Sequence, residues 1–192
     1  MNKWITTGLL VLALFSCRED ATTEQKEKSA EPEKIAIVEE LKKQVSQHPD
    51  SVRTRMQLVN VLDSLGMYAE AIANIDSMIK RDSINNGLWL TKAQLHESAK
   101  DTATAIQSYE RAIAVYNSVD AQLSLANLYA ETKNPMALKI CDAVRNLRAG
   151  REVDAHCDFI SGIYYSRIGN SKNALELFDR CINNIWEQIF KK

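Results

Sequence analysis

Apolar residues recur along this chain at helical spacing, within a unit of about 34 residues. Ala71-Ile72 is followed 34 positions later by Ala105-Ile106, then by Ala137-Leu138 and Ala174-Leu175. Each pair opens a stripe that continues through Ile75 and Met78, Tyr109 and Ala112, Cys141 and Val144, or Phe178 and Cys181. Steps of three and four residues put such a stripe on one face of a helix. A second helical segment precedes each stripe. Its inner positions are Leu58, Val59 and Leu62, then Trp89, Ala93 and His96, then Leu125, Ala126 and Tyr129, and last Gly162 and Tyr165. Gly66 and Gly169 mark two of the intervening turns, and Lys100-Asp101 and Lys133-Asn134 occupy the other two. Residues 35–48 read as a half repeat and 51–182 as four full repeats. Self-similarity of this period predicts helix pairs stacked so that each buries its apolar face on the next.

The pattern resembles the tetratricopeptide repeat. That family keeps small residues at its eighth and twentieth positions, an aromatic or Leu at the eleventh and a large apolar residue at the twenty-fourth. Here Val59, Ala93, Ala126 and Gly162 are set against Ala71, Ala105, Ala137 and Ala174. Two helices can approach closely only where neither carries bulk. The fourth repeat fits best, with Gly162, Tyr165, Gly169, Ala174 and Phe178 all in register. The third is shorter by about one residue in its turn, and Arg145 stands where an apolar residue is usual. The resemblance covers about 150 residues. It implies an all-α, right-handed α-solenoid of stacked helix-turn-helix repeats, with about nine helices over 34–192 and a capping segment at the end.

The two ends differ from the repeats. Residues 1–16 hold Lys3 and then an apolar run from Gly8 to Phe15, the layout of a secretory signal peptide. The run is too short to span a bilayer, which needs about 20 apolar residues. Leu14-Phe15-Ser16-Cys17 resembles the lipobox of bacterial lipoproteins, although Phe15 is bulkier than the usual residue. That resemblance implies diacylglycerol on the Cys17 thiol, cleavage before it and further acylation of the new amine, with palmitate-type chains holding the protein on a membrane. Arg18-Glu19-Asp20 lacks the second-position Asp that retains some lipoproteins in the inner membrane, so an outer-membrane site is expected, on either leaflet. Residues 17–33 are polar and are expected to form a flexible tether. At the other end, Ile182, Ile185, Trp186, Ile189 and Phe190 make one apolar face. It either folds back on the last repeat or serves as a docking or dimer surface.

Composition adds exclusions. The formal net charge is −1, so there is no surplus of Lys and Arg of the kind that nucleic-acid binding requires. No glycine-rich phosphate loop, His-Glu-x-x-His helix or Gly-x-Ser-x-Gly elbow is present. His96-Glu97 lacks a second His four residues on, and His96 reads as a packed histidine with one satisfied nitrogen. Asp154, His156, Cys157 and Asp158 cluster in sequence, but His156 has no good ligand three or four positions away. No metal, cofactor or catalysis is expected. Cys141, Cys157 and Cys181 fall on apolar faces and read as small buried hydrophobes, with their disulfide state left open.

In the tetratricopeptide family the first helix of each pair lines a concave groove through its second, fifth, ninth, twelfth and thirteenth positions. Here the fifth positions are Met56, Leu90, Leu123 and Phe159, and the ninth are Asn60, Gln94, Asn127 and Ile163. Asp63, Glu97, Glu131 and Arg167 stand at the rim. The resemblance thus implies a non-catalytic, membrane-anchored scaffold that binds a protein or extended peptide. The amides at 60, 94 and 127 would pair with its backbone and the apolar row would receive its side chains. Trp186 and Phe190 form the second candidate surface. A peptide-binding receptor feeding a transport system and an envelope assembly factor are the alternative roles.

Overall fold

The computed structural model describes the backbone of residues 20–190 and the side chains of residues 32–184. Residues 1–19, with the signal-like segment and Cys17, lie outside the described residues, as do the side chains of Trp186 and Phe190. The described residues form nine helices and no strands. These are α1 (Asp20–Gln47), α2 (Val52–Ser64), α3 (Tyr68–Ile79), α4 (Asn86–Ser98), α5 (Thr102–Val115), α6 (Val119–Glu131), α7 (Met136–Asn146), α8 (Arg151–Arg167) and α9 (Ser171–Phe190). Each helix packs on the next in sequence, and α6 also lies along α8. Contact confined to near neighbours is the hallmark of a solenoid.

The residues expected at the helix crossings are all buried. Val59, Ala93, Ala126 and Gly162 lie inside, as do Ala71, Ala105, Ala137 and Ala174. The core runs through the stack as overlapping clusters that ignore repeat boundaries. Leu95 of α4 joins Leu58, Leu62 and Ile75 of the first repeat. Ala93, two residues away, joins Tyr109 and Leu125 in the next cluster. Alternate faces of one helix therefore glue successive repeats together.

The four turns within repeats share one conformation despite their different sequences. Gly66, Lys100, Lys133 and Gly169 all have φ between 60° and 84°. In each, the following residue donates its N–H to the carbonyl at the eleventh repeat position: Met67 to Leu62 at 2.8 Å, Asp101 to His96 at 2.8 Å, Asn134 to Tyr129 at 2.7 Å and Asn170 to Tyr165 at 2.8 Å. This closure satisfies carbonyls that a helix end would otherwise leave orphaned. Side chains then start several of the next helices, with Asp101 accepting from the Thr104 N–H at 3.2 Å and Asn170 from the Asn173 N–H at 3.2 Å.

One expectation about the ends changes. The polar stretch expected to be a tether is helical from Asp20 onward, with Pro32 inside α1. Glu, Lys, Gln and Ala are strong helix formers, so a composition poor in large apolar residues supports either state. Among the described side chains, the first buried ones are Val38 and Leu41, which share a core cluster with residues of α2 and α3. At the other end the backbone continues α9 to Phe190 and Ile182 is 49% exposed, while the side chains of Ile185, Trp186, Ile189 and Phe190 lie outside the described residues.

Arg145, which departs from the repeat pattern, has a structural explanation. The Asp158 carboxylate is buried, and it is held by Arg145 at 2.7 Å and by Arg180 at 2.5 Å. Asn184 Nδ2 adds a contact at 3.5 Å. A charge in the interior is tolerated when it is paired and hydrogen-bonded, and here it links α7, α8 and α9. Cys141, Cys157 and Cys181 are free thiols within the packed interior.

Candidate peptide-binding groove

Helices α2, α4, α6 and α8 are the first helices of the four repeats, and three of them converge on one depression of about 410 Å³. From α6 come Asp120, Leu123, Ser124 and Asn127, from α8 His156, Phe159 and Ile160, and from α4 Glu97. Leu123, Asn127 and Phe159 are thus brought together. Phe159 is 47% exposed, and its ring stacks at a tilt on Phe178, 5.8 Å between centroids. That contact holds a large apolar surface in place while leaving one side to solvent.

The other candidates are distributed differently. Met56, Leu90 and Ile163 are half-buried and pack against the core clusters behind them. Asn60 lines a separate depression of about 740 Å³ between α1 and α2, with Ile37, Leu41 and Gln57. Gln94 is exposed on α4 and lines neither of these depressions. The three amides therefore do not share one cleft, because the amino-terminal half of the groove is flanked by α1 rather than by another repeat's first helix.

Four groups in the depression were outside the expected binding set: Asp120, Ser124, His156 and Ile160. Asp120 and His156 occupy the second repeat position, so the family's own groove pattern would have found them, whereas Ser124 and Ile160 stand one residue after the fifth position. Glu97 was expected at the rim and lies in the lining. Its Oε2 accepts from the buried Tyr109 hydroxyl at 3.0 Å. Burial, and then the Glu97 charge, push the Tyr109 phenol well above its ordinary value. His96, one residue earlier, points inward. Its Nδ1 lies 3.2 Å from Asp101, and Nε2 is buried without a hydrogen-bond partner among the described residues. Asp158 of the sequence cluster is taken up by its two arginines. His156 instead faces the groove, so the cluster divides between two sides of α8.

The tetratricopeptide repeat profile matches residues 87–118, which span α4 and α5. Two crystal structures of MamA superpose with a TM-score of 0.67 at 17% identity, over 85% of this chain and 95% or 89% of theirs. The fold is a tetratricopeptide-repeat solenoid. A third solved structure, YrrB, described as a TPR protein with an unusual peptide-binding site, is similar over 75% of this chain and 91% of its own, with a TM-score of 0.50 at 15% identity. No curated protein matches the chain in sequence. At such identities the likeness to solved structures shows the architecture alone.

Proposed function

We propose that this chain is a non-catalytic scaffold, anchored to the outer membrane by acylated Cys17, that holds an extended segment of another protein in its concave groove. The observation that carries the reading is the convergence of α4, α6 and α8 on one depression combining Leu123, Phe159 and Ile160 with Ser124 and Asn127. Apolar side chains give an extended segment contact area, while an amide and a hydroxyl can pair with its N–H and C=O groups. The anchor rests on the lipobox-like Leu14-Phe15-Ser16-Cys17. Among the described residues no helix is long and apolar enough to cross a membrane.

Both halves of the reading are open to test. Cys17→Ser should abolish labelling by an alkyne fatty acid and release the protein from membranes, and undiminished label would overturn the anchor. Phe159→Arg should leave the helical content intact and remove the partner that co-purifies from native membranes in mild detergent. An unchanged set of co-purifying proteins would overturn the groove.

A further inference from the structure

The groove has a charge pattern that narrows what it can hold. Its lining includes two carboxylates, Glu97 and Asp120, and neither Lys nor Arg. Among the described residues, most carboxylates buried or half-buried outside the depression already have a cation, whereas Glu97 is half-buried and Asp120 is exposed. Asp158 has Arg145 and Arg180, Asp76 has Lys92, and Glu70 has Lys42. Asp120 has no such partner among the described residues. Glu97 spends one oxygen on Tyr109, which fixes its orientation, and its other oxygen has no partner among the described residues. The acidic groups belong to α4 and the first turn of α6, while the apolar wall is built by Leu123 of α6 with Phe159 and Ile160 of α8.

We infer that the groove takes an extended polypeptide segment in which a Lys or Arg stands close to an apolar or aromatic residue. The inference rests on the groove reading above and deepens it. The cationic side chain lies toward Glu97 and Asp120, where an oriented carboxylate can accept a charge-assisted hydrogen bond. The apolar neighbour lies against Phe159 and Leu123. Ser124 and Asn127 between them meet the segment's backbone. An acidic segment is disfavoured, because it would bring a third negative charge to two unpaired carboxylates. The carboxylates are solvent-accessible, so the attraction is modest and screened by salt over about 10 Å at 0.1 M.

A randomised heptapeptide library, displayed on phage and selected on the full chain in detergent micelles, tests this. The expected result is enrichment of peptides with Lys or Arg within a few positions of an apolar residue. A synthetic copy of an enriched peptide should bind about fivefold to tenfold more weakly to Glu97→Gln/Asp120→Asn, a loss on the order of 1 kcal/mol. It should also weaken as salt rises. Enrichment of acidic or uncharged peptides that still lose binding to Phe159→Arg would overturn the charge inference while leaving the groove in place. Equal affinity of a basic peptide for the parent chain and the double variant would overturn it too. Failure to enrich any peptide would overturn both readings.

Discussion

The Phe178 ring of α9 lies so close to Gly162 of α8 that a Cβ built there would stand 2.5 Å from Cε1 of the ring. Gly162 is at the eighth repeat position and Phe178 at the twenty-fourth. The other repeats place Val59 with Ile75, Ala93 with Tyr109 and Ala126 with Cys141 in shared core clusters. Phe178 carries a second duty, because its ring also supports Phe159 at the groove. Gly162→Ala should therefore cost about 1–3 kcal/mol through overpacking. Phe178→Leu in the same chain should recover part of it. Urea unfolding of both variants checks this, and an unshifted midpoint for Gly162→Ala would show that the ring moves aside freely.

The turns offer a contrast between identical backbones with different residues. Lys133 holds a left-handed conformation that L side chains adopt at a cost, whereas Gly169 adopts it without strain. Lys133→Gly should be neutral or stabilising by up to about 1 kcal/mol, since relief of strain is partly offset by the greater freedom of the unfolded chain. Gly169→Ala should cost about 1 kcal/mol. Thermal melts of the two variants should move in different directions or by clearly different amounts.

Most of the repeat architecture was legible because it rests on close approach, which leaves small residues in fixed register. Ala71, Ala105, Ala137 and Ala174 announce the crossings without any knowledge of contacts. The shared turn geometry was half visible, because Gly66 and Gly169 signal a left-handed residue and Lys100 and Lys133 do not. Arg145 read as a defect, since the pattern of one helix says nothing about Asp158 and Arg180, 13 and 22 residues from their partners. The candidate groove was legible in its carboxyl-terminal half, where Leu123, Asn127 and Phe159 come together. It was less so at Asn60, whose surroundings depend on how α1 lies across α2. Helix formation ahead of residue 34 was hidden by a composition that suits tether and helix alike.

The Asp158 cluster predicts unequal losses. Asp158 is 4% exposed at its side chain, Arg145 27% and Arg180 59%. Asp158→Ala should cost about 2–4 kcal/mol, because Arg145 then keeps a half-buried charge with its interior partner gone. Arg180→Ala should cost about 1 kcal/mol or less, since its guanidinium is largely hydrated and Arg145 remains on the carboxylate. Denaturant midpoints in the reverse order would mean that the carboxylate is not the hub of this contact.

Tyrosine ionisation supplies a pH test. Burial, followed by the neighbouring Glu110, pushes the Tyr129 phenol up to about 12 from 10.0. Burial and Glu97 shift Tyr109 in the same direction. The folded state therefore keeps protons that the unfolded chain releases near pH 10. The associated stability is complete below that pH and is lost as pH rises from about 10 towards 12. Ultraviolet tyrosinate absorbance, compared between the parent chain and its Tyr109→Phe and Tyr129→Phe variants, should show Tyr109 and Tyr129 ionising only as ellipticity falls. Ionisation of both near pH 10 with the fold intact would contradict the contacts of their hydroxyls with Glu97 and Glu110.

The proposed scaffold must hold its partner in the groove formed by α4, α6 and α8. A photo-crosslinking phenylalanine analogue placed at Phe159, and separately at the exposed Gln107 of α5, reads this out in native membranes. The prediction is a discrete crosslink to another polypeptide from position 159 that disappears when Leu123→Arg is added, and none from position 107. A crosslink from position 107 with nothing at 159 would place the partner elsewhere and contradict the groove as the site of function.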